Sequence, residues 1–97
     1  MRIIAQRILR QCWTTHRRAE IPLRAWYAEA SRADWAAPAD IKDAYRSASF
    51  LANNRVIFNI KGNDYRLVVA VHYHRRMMFI RFAGTHREYD KIDANEI

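Results

Sequence analysis

The hydrophobic pattern changes period once, at Arg55, and this change restricts the fold more than any other feature of the chain. Before it, apolar residues recur every third or fourth position. Ile4, Ile8, Leu9, Cys12 and Trp13 form one run, and Leu23, Trp26, Tyr27 and Ala30 a second. That spacing gathers them on one face of a helix. After it, Tyr65, Leu67, Val69, Val71 and Tyr73 alternate with Arg66, Val68, Ala70 and His72, the period of a strand with one buried face. Helices followed by strands predict an α+β fold, with N-terminal helices packed on one face of a small antiparallel sheet. A chain of 97 residues has room for a single core, so residues 1–97 read as one domain.

The elements follow in order. Residues 2–4, "RII", read as a strand, and a first helix follows from Ala5 to His16. Pro22 suits the first turn of the second helix. "DWAAPAD" reads as a loop broken by Pro38, and Asp40 as the cap of a third helix over Ile41–Ser47. "RVIFNI" is a strand, and Gly62-Asn63 in "KGND" is hairpin chemistry. "HRRM" is a turn and "MFIRFAG" the next strand. With tight hairpins, Ile60 opposes Tyr65 and Asn59 opposes Arg66. A second loop at Arg75-Arg76 sets Ala70 against Arg81 and Arg66 against Thr85. Phe58, Ile60, Tyr65, Leu67, Val69, Val71, Ile80 and Phe82 then share the face toward the helices, because directly paired residues share a face. Asn59, Arg66, His72 and Arg81 share the other. A one-residue slip in the second hairpin would turn Arg81 into the core, which favours this parity.

Charge carries the compositional signal. The net charge is +7, and fourteen of the seventeen cations are arginine. Residues 1–33 and 65–87 each carry +5, residues 34–64 balance, and residues 88–97 carry −3. Arginine grips phosphate with a planar two-pronged fork, so a polyanion, RNA first, is the expected partner. A merely solubilising surface is the plainer alternative. The hydrophobic content of 51% argues against disorder. One cysteine, Cys12, excludes an internal disulfide, and with no bilayer-length apolar run the chain is expected in the cytoplasm rather than in or across a membrane. The N-terminus lacks the apolar segment of a secretory signal. A basic amphipathic start also resembles a mitochondrial targeting helix.

Reactive side chains concentrate in "FAGTHREYDKID", residues 82–93. Thr85 and Glu88 have the spacing of a capping box, so a helix starts at His86. Its N-terminus would favour a phosphate, and His86 and Tyr89 would share one helical face. Asn59, Arg66, Arg81, His86 and Tyr89 then converge on the polar face of the sheet. Such a group suits RNA cleavage by attack of the ribose 2′-OH on the adjacent phosphate. That reaction needs a base, an acid and fixed cations for the charge on the phosphorane, but neither metal nor cofactor. His86 fits as base or acid, Arg66 and Arg81 as the cations, and Tyr89 as stacking platform or proton donor. Each has a plain structural reading as well: a surface histidine, solvated strand arginines, a packing tyrosine. Asp90 and Lys91 read as a solvated helix face, and His16 as a loop position. Trp13, Trp26 and Trp35 read as helix-packing residues. His72 and His74 point to opposite faces of a strand and make a poor zinc site.

The segments "FNIKGNDYRLV" (58–68), "IRF" (80–82) and "GTHREYDKID" (84–93), with "WAAPADIKDAYRSASFL" (35–51) upstream, resemble HigB-type toxins of the RelE superfamily. The resemblance covers roughly residues 35–93 and is specific as a combination rather than piece by piece. It implies a RelE-like fold with a short C-terminal helix and an mRNA interferase acting on translated mRNA at the ribosome. It also implies a cognate HigA-type helix-turn-helix antitoxin, through which alone the toxin would meet operator DNA. Carried over residue by residue, it assigns catalysis to Arg66, His86 and Tyr89, with Asn59, Lys61 and Lys91 as RNA contacts; Arg81 joins the RNA contacts from its place on the polar face alone. RelE itself uses lysines and a late arginine around the scissile phosphate. Here lysines are scarce and His86 stands near that arginine's place, so the base and acid assignments stay open. A non-catalytic RNA- or ribosome-binding module is the rival reading. A DNA-binding repressor is weaker, since no helix-turn-helix pattern is present.

Overall fold

The computed structural model describes residues 1–97. Its elements run β1 (Arg2–Ile4), α1 (Gln6–Thr15), a 3-10 turn at Arg17–Ala19, α2 (Glu20–Arg32), α3 (Pro38–Ala44), β2 (Ser49–Phe50), β3 (Arg55–Ile60), β4 (Tyr65–His72), a 3-10 turn at Tyr73–Arg75, β5 (Met77–Thr85) and α4 (His86–Tyr89). The five strands form one sheet in the order β1-β5-β4-β3-β2. The α+β architecture is the expected one, but the sheet is mixed: β1 lies parallel to β5 at one edge. Three residues are too few to declare a strand's partner. The two-residue strand β2, at the other edge, has no sequence signature at all.

The helices bury the faces their spacing marks. Leu9 and Cys12 of α1 and Leu23, Trp26 and Ala30 of α2 are buried. They pack on Phe58, Ile60, Tyr65, Leu67, Val69, Val71, Met78 and Ile80 of the sheet. Trp26 meets Phe58 edge-on with ring centres 5.3 Å apart, and Trp35 is buried in the same core. Pro38 opens α3 instead of breaking the chain before it. A proline at the first helical position loses no hydrogen bond, and its fixed φ already suits the helix. Asp40 therefore stands inside α3, three residues past Ala37, and its carboxylate reaches back to accept from the Ala36 and Ala37 N–H groups at 2.9 and 3.2 Å.

The first hairpin has the expected register, with Ile60 opposite Tyr65 and Asn59 opposite Arg66. The second does not. Arg66 pairs with Gly84 rather than Thr85, and Ala70 with Phe79 rather than Arg81. The Arg-Arg loop is replaced by the 3-10 turn, and Arg76 takes left-handed φ of 54°. Its guanidinium is tied to Asp34 and to the Tyr73 carbonyl. The register then shifts by one residue: Val69 pairs with Ile80 but Val68 with Phe82, which leaves Arg81 as the extra residue of a β-bulge. The bulge keeps Ile80 in the core, leaves Arg81 exposed, and turns Phe82 to the opposite face.

That opposite face is not the open polar surface which alternation suggests. Ile57 and Val68 are buried there with Ala94, beneath a cover formed with Tyr89, Ile92 and Ile97. Arg55 anchors the cover, its Nε donating to the Ile97 carbonyl at 2.8 Å. Val68 is 0% exposed. The near-isosteric Val68→Thr is therefore expected to lower the stability measured by chemical denaturation by about 1–3 kcal/mol, the cost of an unpaired buried hydroxyl. A change within about 0.5 kcal/mol, as at a solvated position, would mean that the C-terminal segment does not cover this face.

Candidate active site

The candidate residues gather where the β3–β4 hairpin meets the start of α4. Lys61 and Gly62 of the hairpin loop have left-handed φ of 54° and 65°, and the loop closes with the Asp64 N–H donating to the Lys61 carbonyl at 3.2 Å. The Asp64 carbonyl accepts the His86 N–H at 3.2 Å, which ties α4 to this loop. Arg66, at the start of β4, pairs with Gly84, two residues before His86. Its Nη1 donates to the Asn63 carbonyl at 3.2 Å, again on the loop. Arg66 and His86 are thus held to the same turn from two sides.

The capping box is present. Thr85 Oγ1 accepts the Glu88 N–H at 3.1 Å, and Glu88 Oε1 accepts the Thr85 N–H at 2.8 Å. α4, however, is a single turn of four residues. The N–H groups of Thr85, His86 and Glu88 are all engaged, and a carboxylate already lies on that terminus. The helix end is therefore not the anion site that the sequence suggested.

The other candidates are distributed. Asn59 is paired with Arg66, but its Nδ2 donates to the Ser47 carbonyl at 3.1 Å. Lys61 is exposed on the hairpin loop, with Asp64 Oδ2 at 3.9 Å. His86 is exposed, its Nδ1 3.6 Å from Asp90 Oδ2. Tyr89 is half-buried, with its ring centre 6.3 Å from that of Phe82. Lys91 is exposed just beyond α4. Arg81 does not join Arg66: the bulge carries it along β5, where its guanidinium lies 6.0 Å from the centre of the Phe79 ring. No cluster of three or more His, Cys, Asp or Glu side chains is placed to hold a metal ion.

One contact has no trace in the sequence. His16, at the end of α1, reaches Glu88, with Nε2 3.1 Å from Oε1. It lies in a cleft of about 350 Å³ between α1 and β5, lined also by Cys12, Thr15 and Arg81. Seventy-two residues separate the two partners, and no local pattern reports such a pairing. The hydrogen bond from the Thr85 backbone N–H holds the Glu88 carboxyl below its ordinary value of 4.5; burial partly opposes this, and His16 adds to the lowering. The Cys12 thiol is pushed up to about 11 by burial and then by Glu88, so it stays protonated at neutral pH and serves as a packing group.

Gly84 is fixed by close approach. A Cβ there would stand 2.7 Å from Glu88 Oε1 and 2.7 Å from Phe82 Cζ.

A small α+β domain, basic overall, with arginine and histidine held at one hairpin end, has the form of a RelE-like toxin. The family comparison agrees. Residues 19–92 match the HigB toxin family, the RelE-like toxic component of a toxin–antitoxin system, and the chain belongs to that family. It is the toxin of such a pair, and an antitoxin is its partner. No match was found among curated proteins. No helix of the chain is long and apolar enough to cross a membrane.

Two outcomes follow from the joint at Glu88. A folded-state pKa below the unfolded one gives stability that is complete above the unfolded value near 4.5 and fades as pH falls through the lower, folded value. The stability difference between wild type and Glu88→Gln should accordingly be positive at neutral pH and shrink toward zero in acid denaturation series. A difference independent of pH would show that the carboxylate charge is not its source. Gly84→Ala is expected to destabilise by about 1–3 kcal/mol through overpacking, read as a lowered denaturation midpoint.

Proposed function

We propose that this toxin is an endoribonuclease that cleaves mRNA on the translating ribosome by attack of the 2′-OH on the adjacent phosphate. The observation that carries this reading is the binding of Arg66 and His86 to one turn, through the Asn63 and Asp64 carbonyls. One turn thereby carries both a histidine, the side chain most often used for proton transfer, and an arginine. Arg66 spends one donor on Asn63, and its remaining N–H groups suit the non-bridging oxygens of a phosphorane. His86 takes the proton of the 2′-OH or gives one to the leaving 5′ oxygen.

Tyr89 completes the catalytic set beside them, held by Phe82 and offering a ring to stack on a base. Asn59, Lys61 and Lys91 add contacts to the RNA around this turn. The net charge of +7 supports a ribosomal partner. The antitoxin is a helix-turn-helix protein that neutralises the toxin, and operator DNA is reached only through it.

The test is induced expression of the toxin without antitoxin, with mapping of RNA ends. Growth arrest and products ending in 2′,3′-cyclic phosphate are expected. His86→Ala and Arg66→Ala should each lower the cleavage rate by about 10²–10⁴-fold. Growth arrest with intact mRNA, unchanged in both variants, would instead establish a non-catalytic ribosome- or RNA-binding module.

A further inference from the structure

The C-terminal cover leaves part of its sheet face open. It lies on Ile57 of β3 and Val68 of β4, whereas the β1 and β5 side carries residues of another kind. Register aligns Arg2, Met77 and His72 in one row, and Ile4, Phe79 and Ala70 in the next, on the same face as Val68. Ile4, Met77 and Phe79 are only half-buried, and Arg2, His72 and Arg81 are exposed. The His72 ring stands edge-on to Phe79, with centres 5.2 Å apart and planes at 81°. Arg81, thrown out by the bulge, brings its guanidinium 6.0 Å from the Phe79 ring centre. No carboxylate lies within salt-bridge distance of Arg2 or Arg81, since the ion pairs of the chain all involve other residues.

An aromatic pair of a half-buried Phe79 and an exposed His72, flanked by unpaired guanidinium groups with no acid in either row, has the chemistry that holds single-stranded RNA. Rings stack on bases of any identity, and arginines take the phosphates. β5 itself links this surface to the candidate site, running from Phe79 through Arg81 to Gly84 beside Arg66. A solvated face would not need an aromatic pair there, and neither Phe79 nor His72 belongs to the cluster that the C-terminal segment covers.

We infer that Phe79, His72 and Arg81, with Arg2 at the sheet edge, form a platform that binds the RNA strand flanking the scissile phosphate. Phe79 stacks on a base, and the two arginines hold neighbouring phosphates. The platform rests on the RNA reading above and adds to it residues that stand apart from the catalytic turn.

The experiment uses the full chain and a short fluorescein-labelled single-stranded RNA, 2′-O-methylated so that it cannot be cleaved. Affinity is read by fluorescence anisotropy over a salt series, with circular dichroism as the check on folding. Phe79→Leu, which keeps apolar bulk but removes the ring, should weaken binding about fivefold or more with the salt slope unchanged. Arg81→Gln should weaken binding and reduce the slope of log affinity against log salt by about 0.7, the signature of one lost phosphate contact on a single strand. Because Arg81 is exposed, that variant carries the test even if Phe79→Leu fails to fold. Wild-type protein that does not bind the RNA overturns the RNA reading and the platform together. Wild-type binding with both variants unchanged overturns the platform alone. Variants that lose affinity for purified antitoxin and keep it for RNA also overturn the platform, and assign this surface to the protein partner.

Discussion

Strand β4 is buried on both faces, and the arrangement of the molecule follows from that. Leu67, Val69 and Val71 face the helices and Val68 the opposite side, each at 0% exposure. An antiparallel sheet of this size can leave one face to water, but burying Val68 and Ile57 requires a second layer. The helices supply the first layer, and residues 89–97 supply the other with Tyr89, Ile92, Ala94 and Ile97. The chain must therefore turn back across the sheet just after β5. The turn that starts this return, α4, carries His86 and Tyr89. The need to cover a hydrophobic strand thus sets where the candidate chemistry stands.

Glu88 is the joint of that return. Its carboxylate closes the capping box on Thr85 and also meets His16 from α1. Gly84 has no side chain because Glu88 and Phe82 occupy the space a Cβ would need. Two segments far apart in sequence, α1 and the junction of β5 with α4, therefore meet at one carboxylate, beside the hairpin loop that holds Arg66 and His86. A surface ion pair of this kind contributes little by itself. Its effect lies in joining α1 to the last turn of the sheet, while the same carboxylate engages the Thr85 N–H at the start of α4.

The arginines divide by environment. Arg76 and Arg55 are structural, engaged with Asp34 and with the Ile97 carbonyl. Arg66 spends one donor on its own hairpin. Arg81 has no carboxylate partner and stands over an aromatic ring because one extra residue in β5 displaces it from the ladder. Without the bulge, Phe82 would stay with Ile80 toward the helices and could not meet Tyr89. Bulges redirect side chains in this manner wherever two parities must coexist on one strand.

Hydrophobic period alone determined that helices precede a sheet, which faces of α1 and α2 are buried, and the register of the first hairpin, because each depends on residues close in sequence. Thr85 and Glu88 declared their capping box for the same reason. The candidate cluster was only partly legible. Arg66, His86 and Tyr89 could be singled out by residue type and by resemblance, but the convergence expected of Arg81 relied on a register that the bulge changes. Tertiary structure alone decided the parallel pairing of β1, the meeting of His16 with Glu88, and the covering of Val68 by the C-terminal segment. These are contacts between distant segments, settled by which apolar surfaces remain to be buried once the local elements have formed, and no local spacing encodes that remainder.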